Sequence, residues 1–288
     1  MKAMGRKSSF ALLASVLIAG CALGGSSVPV EPQPTGALAK WNDFPAGSTP
    51  RPILLLQGLT PNQAFTSGDA KIAFMCGSYT LGVSLPADVP THATVSWASG
   101  ESASHDAITA AEAYAALKRN AESPANQGCG TVTPLRVTQA RFAPAAYETD
   151  RGTADISSWL FTADGAEAEI AYPALPPSAL WGGGWAAPSQ ASATVSPDDR
   201  SLVYHFVGAP AGDEPCSADY IGLVSESATA VALDVQITQD QRQASAGACD
   251  AVGHPRSVTV PLKVPLGGRV VVDKTAAVMP VCREGAPC

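Results

Sequence analysis

The last hundred residues alternate apolar and polar side chains in a way that suits a sheet and not a helix. In "AVALDVQI", Val231, Leu233, Val235 and Ile237 alternate with Ala232, Asp234 and Gln236. The run "SVTVPLKV" repeats the pattern with Val258, Val260, Leu262 and Val264. A period of two sends one set of side chains to one face of a strand and the other set to the opposite face. "ASATVS", "SLVYHFVG", "DYIGLVS", "RVVVD" and "AVMPVC" bring the number of short runs to six or seven, separated by turns such as Pro197–Arg200. This is the pattern of an antiparallel β-sandwich of immunoglobulin-like architecture. Pro261 carries no amide hydrogen, which predicts that its strand lies at a sheet edge or carries a bulge.

The preceding stretch mixes strands with one clear helix. "PILLLQ" from Pro52, "AKIAFM" from Ala70 and "ATVSW" from Ala93 have the length of buried strands. In "ITAAEAYAALKRN", Thr109 and Glu112 form a capping box, and Lys118 and Arg119 suit the negative end of a helix from about Ala110 to Arg119. Ala111, Tyr114, Ala115 and Leu117 are expected to supply its apolar side. Further strands are predicted on either side of "TDRG" at 149–152, where Arg151 reads as a solvated turn residue rather than a ligand contact. Trp159 and Phe161 share a face that should enter the core, and Asp164-Gly165 predicts a tight hairpin turn onto Ala166–Tyr172. The fold class expected is therefore mainly β with α+β character.

The domain organisation follows from where Pro, Gly and Ser collect. Residues 1–20 read as a leader, 21–39 as a flexible tether, 40–176 as an α+β domain, 177–191 as a linker and 192–288 as the sandwich. In the linker, Gly182–Gly184 lie between Trp181 and Trp185. These indoles are expected to pin the linker onto its neighbours; the functional alternative is an aromatic platform for a sugar or peptide.

The leader explains an odd cysteine count. Lys2, Arg6 and Lys7 precede the ten-residue apolar run Phe10–Ala19, which is too short to span a bilayer core of roughly 20 helical residues. The run ends in Ile18-Ala19-Gly20-Cys21, which resembles the lipobox of bacterial lipoproteins. The resemblance implies cleavage between Gly20 and Cys21 and attachment of a diacylglyceryl group, with further acylation, to Cys21. Two chains at about 0.8 kcal/mol per buried methylene hold a protein to a membrane stably, where one chain does so only marginally. The segments Cys216–Asp273 and Tyr147–Phe161 are also similar to parts of actinobacterial lipoproteins of uncharacterised function, a likeness that implies export and no particular activity.

With Cys21 set aside for lipid, Cys76, Cys129, Cys216, Cys249, Cys282 and Cys288 remain. An even number in an exported chain reads as a disulfide framework. Of the 15 possible connectivities, the sequential one that keeps each pair within an expected domain is preferred: Cys76–Cys129, Cys216–Cys249 and Cys282–Cys288. None of these cysteines has the two-residue spacing of a zinc ribbon or a redox motif.

Charge narrows the partners. Loss of the leader removes Lys2, Arg6 and Lys7 and no acid, which takes the net charge from −7 to −10. An acidic surface repels phosphate backbones, so nucleic acid is excluded as a partner. The expected partners are the lipid membrane, through acylated Cys21, and an envelope protein or glycan.

No catalytic, cofactor or metal motif is recognisable. The nucleophile elbow, the penicillin-recognising Ser-x-x-Lys, the zinc-protease HExxH and the calcium loop are all absent. His205 reads as a strand-surface residue and His105 as part of the approach to the helix. Asp198 and Asp199 read as turn residues. The primary expectation is a lipid-anchored binding or scaffolding ectodomain on the outer face of the cytoplasmic membrane. The alternatives are an envelope hydrolase acting on peptide or glycan at the interdomain cleft, and an inhibitor or accessory subunit. A deep polar cleft near "WGGGW" would favour the hydrolase, and an apolar surface there would favour the binder.

Overall fold

The computed structural model describes residues 34–61, 63–88, 90–119, 129–182, 186–240, 249 and 251–283. Helix α1 (Thr35–Leu38) is followed by a 3₁₀ turn, α2 (Gly68–Met75), β1 (Tyr79–Leu81), β2 (His92–Trp97), β3 (Ser102–Asp106) and α3 (Ala110–Arg119). Next come β4 (Leu135–Thr149), β5 (Gly152–Ala163) and β6 (Ile170–Pro173). The first sheet has the order β1-β4-β5-β2-β3, with β6 also on β5. The β4–β5 hairpin turns at Asp150-Arg151, as "TDRG" predicts. Trp159 and Phe161 lie in its core, and the Trp159 indole Nε1 donates to the Ile108 carbonyl at 2.8 Å, joining the sheet to the start of α3.

The second half contains β7 (Ser192–Val195), β8 (Ser201–Gly208), β9 (Ala218–Glu226), β10 (Ala230–Asp240), β11 (His254–Pro261), β12 (Val270–Asp273) and β13 (Val281–Arg283). They form a three-stranded sheet, β12-β10-β9, and a four-stranded sheet, β11-β8-β7-β13. Val231, Leu233 and Val271 from the three-stranded sheet share a core with Val195, Leu202 and Val260 from the four-stranded one. Gly222 permits the close approach of β9 to β11, since a Cβ there would lie 2.2 Å from a Val260 methyl carbon. Pro261 is on an edge strand, as its missing amide requires. The sandwich is not wholly antiparallel, however: β12 runs parallel to β10, and β13 parallel to β7.

The three-stranded sheet is buried on both faces. Ala230, Ala232, Val270 and Val272 point away from the sandwich core into another cluster with Leu38, Trp41, Phe44, Leu54 and Leu56. This explains why "AVAL" and "VVV" are continuously apolar. It also corrects the tether, whose last residues are not free chain: α1 buries Ala37 and Leu38. Cys21 and the rest of the segment to residue 33 lie outside the described residues.

"PILLLQ" is not a strand of a sheet but an extended strap. Ile53 and Leu55 enter the core of the first sheet, while Leu54 and Leu56 enter the cluster on the sandwich side. Isolated bridges pair Ile53 with Leu180 and Leu55 with Thr149. The sheets change over between Pro173 and Ser192, near the expected boundary, yet residues 35–56 pack against strands from beyond it. The described residues belong to one compact unit.

Three local expectations also need correction. "AKIAFM" is part of α2, capped by Ser67, whose side chain accepts from the Ala70 amide. The apolar side of α3 is Ala110, Ala113, Ala116 and Leu117, while Ala111 and Ala115 are exposed. Finally, the tight turn at Asp164-Gly165 forms, with the Ala166 amide donating to the Ala163 carbonyl at 3.1 Å, but the returning strand pairs with β5 only from Ile170 and not directly from the turn.

Two predicted disulfides are present, Cys76–Cys129 and Cys216–Cys249. Cys282 is also disulfide-bonded, and its expected partner Cys288 lies outside the described residues. Among the described residues no helix is long and apolar enough to cross a membrane.

Candidate functional site

The capping box at the start of α3 forms as predicted. The Thr109 amide donates to Glu112 Oε2 at 2.8 Å, and the Glu112 amide donates to Thr109 Oγ1 at 3.0 Å. The Thr109 amide first, and then the Thr109 hydroxyl, which donates to the same oxygen at 2.9 Å, hold the Glu112 carboxyl below its ordinary value. From this start, Glu112, Ala115, Ala116 and Arg119 recur at the spacing i, i+3, i+4, i+7 and form one stripe of the helix.

That stripe is one wall of a groove of about 460 Å³. Tyr172, Leu175, Pro177 and Leu180 form the facing wall. The volume falls within the range of small-molecule sites, roughly 300–1,000 Å³. The second wall stands where it does because Leu180 bridges the Ile53 strap and the Pro177–Ala179 3₁₀ turn precedes it.

Three polar side chains reach the groove. The Glu112 carboxylate accepts from the Thr109 amide and hydroxyl, both at Oε2. Burial pushes the Tyr172 phenol up, and the charge on Arg119 opposes that rise. Arg119 and the Tyr172 hydroxyl therefore act on one end of the groove. Among the described residues, Arg119 has no ion-pair partner and the Tyr172 hydroxyl no hydrogen bond.

No family model, curated protein or solved structure matches this chain. The groove is thus interpreted from its own chemistry.

A smaller cavity, about 100 Å³, lies where Arg51, Arg151, Arg269 and Arg283 meet. It is a polar weld. Arg51 Nη2 is 2.5 Å from Asp150, and its Nε donates to the Gly268 carbonyl at 2.6 Å. Arg269 pairs with Glu226 and Arg283 with Asp199, both at 2.8 Å, while Arg151 faces Glu101 at 3.4 Å. The acids match the guanidiniums one for one and leave no excess charge for an anionic ligand. Arg151 is not the solvated turn residue expected: it is 28% exposed and stacks on Trp97, 3.6 Å from the ring centroid. Burial pulls its guanidinium below its ordinary value, with Asp150 opposing.

The other expected positions are scattered. Trp181 packs edge-to-face on Phe44 at 5.3 Å and donates its amide to Ile53, so it pins the segment it belongs to. Trp185, its partner in the expected platform, lies outside the described residues, as do Gly20 and Cys21. His205 Nε2 is 2.9 Å from Thr194 Oγ1 on an exposed strand face. His105 is on edge strand β3 opposite Ala93, where burial lowers its pKa against the pull of Asp106. Asp198 accepts from Ser196 Oγ at 2.6 Å and from the Arg200 amide, which is turn chemistry. Among the described residues no group of three His, Cys, Asp or Glu side chains is placed to hold a metal ion. Sequence reasoning missed Arg119 and Tyr172 as site residues. The available signal was the helical spacing of Arg119 with Ala115 and Glu112.

Proposed function

We propose that this protein is a lipid-anchored ectodomain on the outer face of the cytoplasmic membrane that binds an apolar ligand in the groove along α3. The observation that carries the reading is the lining of the groove just before Trp181: alanine, leucine, isoleucine and proline side chains, with Glu112, Arg119 and Tyr172 as its polar members among the described residues. A hydrolytic site needs several polar groups converging on one reacting atom. A binding site needs apolar area and one or two groups that orient the ligand.

Ala115 lines the groove and is exposed, so a larger side chain there fills it without disturbing the core. Ala115→Trp is expected to weaken binding of the apolar dye Nile red at least tenfold, with unchanged circular dichroism. Undiminished binding would show that the dye site is elsewhere.

The anchoring part of the proposal rests on Ile18-Ala19-Gly20-Cys21 and is supported by the two disulfides, which suit an oxidising compartment. Cys21→Ser is expected to move the protein from the membrane fraction to the soluble fraction. Retention of the variant in washed membranes would refute lipidation as the anchor.

A further inference from the structure

The groove has a polar end and an apolar length, and the difference specifies a ligand class. Glu112 and Arg119 are seven residues apart on α3, roughly 10 Å along the axis. Between them Ala115 and Ala116 offer only methyl groups, and Leu175, Pro177 and Leu180 face them. At the first end the carboxylate is already bonded to Thr109. At the other end, Arg119 and the Tyr172 hydroxyl supply hydrogen-bond donors and one formal positive charge. Lys118 lies over the Tyr114 ring in the same last turn, so the partial negative charge of the helix end has a second cation beside it.

We infer that the groove holds a single-chain aliphatic carboxylate, with its chain along Ala115 and Ala116 and its head group at Arg119 and Tyr172. This rests on the groove being the binding site proposed above. One guanidinium and one phenol match the two oxygens of a monoanion. Among the described residues a multiply charged head would find no second cation in the lining, and the net charge of −10 on the chain without its leader would repel it more strongly than a monoanion. The same charge disfavours adsorption to anionic lipid head groups and leaves the monomeric amphiphile as the occupant.

Isothermal titration with octanoate, nonanoate and decanoate, kept below micellar concentration, tests the inference. Affinity is expected to rise roughly fourfold per added methylene. Decanoate is expected to bind at least about tenfold more tightly than its methyl ester. Arg119→Gln should abolish that preference while leaving ester binding intact, and Arg119→Lys should retain part of it. Equal binding of acid and ester to the native protein would overturn the carboxylate inference and leave the apolar groove standing. Failure of both to bind would overturn the groove reading as well. Tighter binding by decylamine, or by a short peptide ending in Leu-Leu, would overturn the fatty carboxylate as the occupant.

Discussion

Tyr79 and Trp159 are both buried aromatic residues with a polar atom to satisfy, and they fare differently. The Trp159 indole reaches the Ile108 carbonyl. The Tyr79 side chain is 4% exposed, and its hydroxyl is buried with no hydrogen-bond partner among the described residues. Burial, with Tyr114 adding to it, pushes this phenol well above its ordinary value. An unsatisfied buried hydroxyl costs free energy that a phenyl ring does not. Tyr79→Phe is therefore expected to stabilise the protein by about 1 kcal/mol. The gain would appear as a higher urea midpoint with an unchanged slope. Sequence could place Trp159 in the core, because it shares a strand face with Phe161, two residues on. It could not pair Arg151 with Trp97, since that stack joins the β4–β5 turn to the end of β2, more than fifty residues earlier in the chain.

Among the elements, α3 was legible and α2 was not. The start of α3 is written into the four residues Thr109–Glu112, because capping is a contact between near neighbours. "AKIAFM" is a short apolar run whose length suits a strand or a buried helix turn. Ser67 and Asp69 just ahead of it decide for the helix. The α3 cap has a pH signature. Glu112 has a folded pKa below its ordinary value, so its contribution to stability is complete above the unfolded pKa. That contribution is lost as pH falls through the lower, folded value. Thr109→Ala should cost about 1 kcal/mol at neutral pH. The gap between variant and native melting temperatures should narrow as pH is lowered through the carboxylate range. A constant gap would mean that Glu112 does not share in the cap.

For the whole molecule, the strap at 53–56 matters most. Alternate side chains of a four-residue segment enter two different cores, so neither can lose the strap alone. Phe44 holds the same region: it is 1% exposed and packs edge-to-face on Trp41 and Trp181, with the Arg51 guanidinium 4.6 Å from its ring centroid. Phe44→Ala is expected to cost about 3–5 kcal/mol. Native protein should unfold in urea as one transition, with tryptophan fluorescence and far-ultraviolet circular dichroism coinciding. Two separated transitions would show that the halves are independent.

By itself the sequence determined the β-rich class, most strand positions, the α3 cap and, with only two cysteines in the first expected domain, the pairing Cys76–Cys129. These depend on contacts within an element or on the confinement of a pair to one region. The tertiary structure alone decided that "ILLL" serves two cores, that β1–β4, β10–β12 and β7–β13 run parallel, that Arg151 is stacked, and that Arg119 and Tyr172 share a groove. In each case a side chain's role depends on a neighbour distant in sequence. Local patterning records which residues are apolar or charged, but only the packed chain determines what faces them.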